Sequence, residues 1–210
     1  MMYFFIMLSC FLVLALSTQI ITWDALENRT PDDICKLYED NYVFQKTGNC
    51  YTEGEGCQYG TQSAEDIDHT TRRINFYRVI TGLLPTTTGT EEVYRDNVNQ
   101  ACIIMQKNKI FSHSLTNTSL ECWSQSGQTG AASSNIYYAS VNTCSTSSIS
   151  AYMGSLGHRR WVLHPPLISA YASVVGGYSA LKVFGMPNNG SAEAFFIAYP
   201  PPGPVPYNVI

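Results

Sequence analysis

Apolar residues recur at helical spacing from Ile67 through Ile74, Tyr77 and Ile80, and the pattern stops at Gly82 with Pro85 just beyond. That stripe predicts an amphipathic helix with one face in a core. Its start is marked by Ser63-Ala64-Glu65-Asp66, a capping-box-like sequence in which a serine and a later carboxylate serve free backbone N–H groups. Arg72, Arg73 and Arg78 fall on the other faces. A second stripe, Tyr94, Val98, Ala101/Cys102 and Met105, predicts a helix from about Glu91 to Asn108, with acids in the first turn where the helix dipole favours them. After Phe111 the chain turns polar and small, and this reads as a long connection. A short helix fits Ser147 to Met153, ending at Gly154, and Trp161-Val162-Leu163 reads as strand-forming core. Beyond Pro166 the periods shorten. Ala170 to Val175, Leu181 to Phe184 and Ala194 to Tyr199 read as strands, separated by Gly176-Gly177 and by the turn-rich run from Met186 to Gly190. Helices first and strands late predict an α+β fold with an antiparallel sheet.

Composition narrows the setting. The 210 residues, 45% of them hydrophobic, suffice for one sizeable core. Lys and Arg number 12 against 16 Asp and Glu, a net charge of −4, so a nucleic-acid partner is not expected. Charged residues make up 13%, about half of the roughly 25% typical of soluble domains. A surface kept wet by Ser, Thr, Asn, Gln and Tyr suits an exported protein. Fourteen Tyr, 9 Phe and 3 Trp exclude disorder for most of the chain.

Tyr3 to Leu16 carries no charge and meets Ser17, Thr18 and Gln19, so residues 1–17 read as a signal peptide cleaved after Ser17, with an uncleaved anchor reaching Ile21 as the rival. The stretch is shorter than the ~20 apolar residues of a spanning helix. The mature product therefore reads as extracellular, with no transmembrane span. Residues 18–62 show no sustained period and read as a Cys-containing N-terminal extension stapled by disulfides. Residues 63–200 form the main domain, and 201–210 a Pro-rich tail that should be extended and cannot be a central strand. With Cys10 removed, Cys35, Cys50, Cys57, Cys102, Cys122 and Cys144 remain, an even set that permits three disulfides. The cluster Cys35/Cys50/Cys57 and the pair Cys122/Cys144 predict mostly local bridges, while Cys102, within a helical stripe, also fits a free core thiol. No CxxC is present, which argues against a four-cysteine zinc site. Asn28, Asn117 and Asn189 open sequons for N-glycosylation.

Four segments in order resemble the CAP superfamily, or SCP domain, of cysteine-rich secretory, antigen 5 and pathogenesis-related proteins. RRINFYRVITGLLP is similar to that family's first helix, and ACIIMQKNKIFSHS to its second, ending in the first family histidine, here His113. SSNIYYAS resembles the segment that usually reads Gly-Glu-Asn-Ile, and SLGHRRWVLHPPL the one carrying the second histidine, here His158. The resemblance runs from about Asp66 to Pro200 and is nearest to the bacterial secreted subgroup in which Ser-Asn replaces Glu-Asn. It implies an α-β-α sandwich with a central antiparallel sheet and a cleft where two histidines and two glutamates converge and can hold zinc. The final AYPPPGPVPYNVI resembles a point where larger relatives continue, which fits either a short form or a truncated coding sequence.

The pattern departs from the family at the cleft. Ser134 stands where the first glutamate is expected, and no acid lies around Ser145 to Ser150 for the second. Two imidazoles fall short of the three protein ligands of catalytic zinc, and a carboxylate base for water is missing. Ser133 and Ser134 lack the Gly-x-Ser-x-Gly elbow of a serine nucleophile. His113 fits either a helix cap or the cleft; His158, after Gly157, fits the cleft; His164 and His69 read as loop and surface residues. Of Arg159 and Arg160, one is expected to pair with an acid such as Asp96. The sequence thus reads as a non-catalytic extracellular binding module without a cofactor. His113, Ser134, Asn135 and His158 would line a concavity for a small apolar ligand, such as a lipid or sterol, or for an extracellular protein. The opposing reading is a secreted zinc-dependent hydrolase using His113 and His158, which requires Glu121, Glu193 or His164 to reach the cleft. A third is a durable disulfide-stapled scaffold.

Overall fold

The computed structural model describes residues 26, 28–44, 48–139, 143–186 and 197–209. The signal-peptide reading, Asn189 and Glu193 lie outside them. Among the described residues the helices are α1 (Pro31–Asn41), α2 (Ala64–Ile80), α3 (Glu92–Asn108), α4 (Gln125–Ala132), α5 (Ser145–Met153) and α6 (Leu156–Val162). The strands are β1 (Tyr51–Thr52), β2 (Thr61–Gln62), β3 (Thr87–Thr88), β4 (Ser134–Tyr138), β5 (Ser169–Ala170), β6 (Ala172–Val175) and β7 (Tyr178–Lys182).

β4, β7 and β6 form an antiparallel sheet in that order, with Ser134 opposite Lys182 and Val175 opposite Tyr178. Successive β7 side chains point to opposite faces. Tyr178 and Ala180 pack with Val98, Cys102 and Met105 of α3, whereas Leu181 packs with Ile74 and Tyr77 of α2 and Tyr152 of α5. All five residues of β7 are buried, so the sheet is the middle of three layers. The result is the expected α+β sandwich of the α-β-α type. Ser63 caps α2 by accepting from the Asp66 N–H at 3.1 Å. The buried Asp66 carboxylate reaches α5, accepting from Ser145 N at 3.2 Å and Thr146 Oγ1 at 3.1 Å, so this acid serves the first turn of a second helix.

The structure departs from the sequence reading in several elements. The polar connection contains α4, which has no large apolar residue. A Cβ on Gly130 would lie 1.9 Å from the Asn97 carbonyl oxygen, so its absence lets α4 lie directly on α3. The extension without a period contains α1, capped by Thr30 with Pro31 in its first turn, and Ile34 fixes it to the core. Trp161 and Val162 belong to α6 rather than to a strand, because Ser155 caps a helix there, accepting from His158 N. The strand read at Leu181 to Phe184 starts earlier and ends at Lys182; of Ala194 to Tyr199, residues 197–199 are described and form no strand. The Pro-rich tail is no strand either, and it folds back: Val209 is buried and its carbonyl accepts from Tyr199 Oη at 2.7 Å.

The cysteines and arginines also differ. Cys50 bonds Cys144 and Cys57 bonds Cys122, across 94 and 65 residues, while Cys35 is an exposed and Cys102 a buried free thiol. The bridges are long-range because the fold lays the 50–57 segment beside the ends of two distant connections. Arg78 is not outward: it is 1% exposed. Its guanidinium donates to the carbonyls of Leu84 (2.8 Å), Val162 (3.0 Å), His164 (2.8 Å) and Pro165 (3.3 Å), tying the end of α2 to the end of α6. Arg159 donates to the Met153 carbonyl and lies over Tyr199, and Arg160 lies over Trp161; Asp96 accepts from Ser126 Oγ instead of pairing with either arginine.

Candidate functional site

The site forms where the C-terminal end of α4, the start of β4 and α6 meet. His113 follows α3 and is exposed. Its Nδ1 lies 2.9 Å from the Ala131 carbonyl oxygen. A carbonyl only accepts, so Nδ1 carries a proton, and whenever the ring is neutral its lone pair is on Nε2. His158 is half-buried in the first turn of α6. Ser155 Oγ accepts from His158 N at 3.4 Å and lies 2.9 Å from its Nδ1, so one hydroxyl fixes both backbone and ring. Tyr152 packs against that ring at 5.4 Å between centroids.

Asn135 joins the parts. Its Nδ2 donates to the His158 carbonyl at 3.0 Å, and its own carbonyl accepts from Tyr152 Oη at 3.1 Å. Burial, and then the charge of His113, hold the His158 pKa below the ordinary imidazole value. Ser134 is buried, and its Oγ has no hydrogen-bond partner among the described residues. His164 sits apart from this pair, edge-on to Trp161 and beside Arg78, whose charge adds to burial in lowering its pKa. Glu121 is exposed, and its backbone N–H is held by Asn108 Oδ1. Ser155 and Tyr152 were not singled out from the sequence; the serine three residues before His158 was the available signal, since that is N-cap spacing.

Among the described residues, His113 and His158 belong to no group of three metal-capable side chains. The trio of that kind is Cys50, Asp66 and Cys144, and its two sulfurs are joined in a disulfide. Two imidazoles without a third ligand among the described residues fall short of the three protein ligands of catalytic zinc. Of the sequon asparagines, Asn28 and Asn117 are exposed.

No family model and no curated protein matches the sequence. Among solved structures, the chain is similar to an extracellular protein containing an SCP domain from Bacillus anthracis, with 14% identity and a TM-score of 0.44. The match covers 60% of this chain and 45% of that one, so this chain spans less than half the length of that protein. A likeness of this degree carries nothing about what the chain binds.

Proposed function

We propose that this is an exported CAP-type protein in which residues 63–200 form the domain and the His113, Ser134, Asn135 and His158 region binds a small apolar ligand, such as a lipid or sterol, without catalysis. The observation that carries the reading is the environment of the two histidines. Each is held by neutral partners: His113 by a carbonyl, and His158 by a hydroxyl and an amide. Two large apolar side chains stand exposed beside them in sequence, Phe111 at 54% and Leu156 at 73%, each two residues before a histidine. Exposed apolar side chains near a few placed polar groups support an apolar interaction surface there. The two disulfides and the low charge support an oxidising, extracellular location. No helix among the described residues is long and apolar enough to cross a membrane.

Titration with a fluorescent fatty acid and a fluorescent sterol tests this. The wild-type chain binds one of the two, and His158→Ala weakens it at least about tenfold, or 1.4 kcal/mol. Failure of both probes to bind overturns the apolar-ligand reading and moves the search to extracellular protein partners. One observation favours the zinc-hydrolase reading: a histidine with Nδ1 on a carbonyl and Nε2 free has the second-shell arrangement of a metal ligand. That reading requires stoichiometric zinc, lost in His113→Ala.

A further inference from the structure

Lys182 ends β7 and points to the α3 side of the sheet, where it is 2% exposed. A buried ammonium requires compensation. Among the described residues the ion pairs are Lys36–Asp40 and Arg72–Asp68, and Lys182 has no carboxylate. Its Nζ meets Ser133 Oγ at 2.8 Å and the face of Tyr94 at 5.3 Å. Burial lowers its pKa below the usual lysine value.

Ser133 is held from both sides. Its backbone N–H donates to the carbonyls of Thr129 and Gly130, and its own carbonyl accepts from Val183 N at 3.0 Å and Phe184 N at 3.1 Å. The residue is half-buried, and its Oγ donates to the Thr129 carbonyl at 2.6 Å on the solvent side. A fixed hydroxyl on a half-buried residue, backed by a buried amine with no carboxylate partner among the described residues, is the arrangement of a base-activated nucleophile. We propose that Ser133 and Lys182 form a serine–lysine pair that takes an acyl group from an activated ester onto Ser133 Oγ. This covalent reactivity goes beyond the non-covalent reading of the histidine region and does not depend on it.

In the resting state Nζ–H donates to Oγ, and Oγ–H donates to Thr129. Loss of one proton from Lys182 reverses the first bond, so that the Nζ lone pair accepts Oγ–H. Oγ then attacks the ester carbonyl carbon, and its proton passes to Nζ as the Oγ–C bond forms. Collapse of the tetrahedral adduct breaks the bond to the leaving oxygen, which takes the proton from Nζ. The products are acyl-Ser133 and a free alcohol or phenol, with Lys182 neutral again.

The test treats the full, disulfide-intact chain with p-nitrophenyl acetate, follows nitrophenolate release and maps acetyl groups by mass spectrometry. One acetyl on Ser133 is expected, absent in Ser133→Ala and formed about 100-fold or more slowly in Lys182→Met, the usual scale of a positioned base. Against pH, the wild-type rate rises to a plateau set by Lys182, below the ordinary lysine range. Acetyl found only on surface lysines or the amino terminus overturns the proposal, as does Ser133 acetylation at an unchanged rate in a folded Lys182→Met. If that variant fails to fold, the wild-type profile decides: a plateau supports the pair, and a rate that climbs with hydroxide without limit refutes it.

Discussion

Arg78 is the buried cation on which the placement of α6 depends, and Arg78→Met isolates its contribution. Methionine keeps an apolar stem and removes every donor. Of the four carbonyls it serves, His164 retains a bond from Leu167 N at 3.0 Å, so Leu84, Val162 and Pro165 are left to find partners. At about 1–3 kcal/mol for each orphaned group, the loss is about 3–9 kcal/mol. Relief of burying the charge offsets part of it. Burial pulls the guanidinium pKa from its ordinary value down to about 10, which corresponds to about 3 kcal/mol at 1.36 kcal/mol per pH unit. Taking the middle of that range, about 6 kcal/mol, the net expectation is a loss of about 3 kcal/mol, a large share of the roughly 5–15 kcal/mol by which domains are stable. With a urea m-value of about 2 kcal/mol/M, the unfolding midpoint falls by about 1.5 M. Arg78→Lys recovers only part of this, since one ammonium cannot span four carbonyls on two connections. A midpoint unchanged in Arg78→Met would refute the view that this network holds α2 to α6.

Three further outcomes follow from the geometry. In an NMR titration the His158 imidazole has a midpoint below the ordinary 6.5, and His113→Ala raises it; because the folded chain disfavours the protonated ring, the stability it contributes is present above 6.5 and lost as pH falls through the folded midpoint, and a midpoint at or above 6.5 contradicts the site geometry. Among the described cysteines, alkylation of the native chain modifies Cys35 and reaches Cys102 only after unfolding, since Cys102 is fully buried with its pKa pushed up to about 12 by burial; peptide mapping that links Cys35 to Cys50, Cys57, Cys102, Cys122 or Cys144 contradicts the pairing. Gly130→Ala forces a methyl onto the Asn97 carbonyl, 1.9 Å away, and costs about 1–3 kcal/mol by denaturant unfolding; a neutral effect would mean that α4 does not depend on this close approach.

The elements legible in the sequence were those whose stability comes from large side chains at a regular period. α2 and α3 carry apolar stripes, and Ser63 marks the start of the first as a cap. α4 was hidden because it packs through what Gly127 and Gly130 lack rather than through what its residues present. α6 was hidden because seven residues are too few to show a period, and Trp161-Val162 are residues that strands favour. Arg78 fell on a face that looked outward, and only the return of the chain after α6 covers it. The pairings Cys50–Cys144 and Cys57–Cys122 are set by topology, which spacing along the chain does not encode. At the site, His113, Asn135 and His158 could be picked out by motif, whereas Lys182 could not: a lysine ending a strand gives no sign that its ammonium turns inward to a serine.

The central claim is that the histidine region binds without metal. Native mass spectrometry of the secreted, disulfide-intact chain, with metal analysis of the same sample, tests it most directly. The account predicts a chain without stoichiometric metal that carries a co-purified lipid-sized mass, released by His158→Ala. One zinc per chain that disappears in His113→Ala or His158→Ala would contradict it and make the site a metal centre.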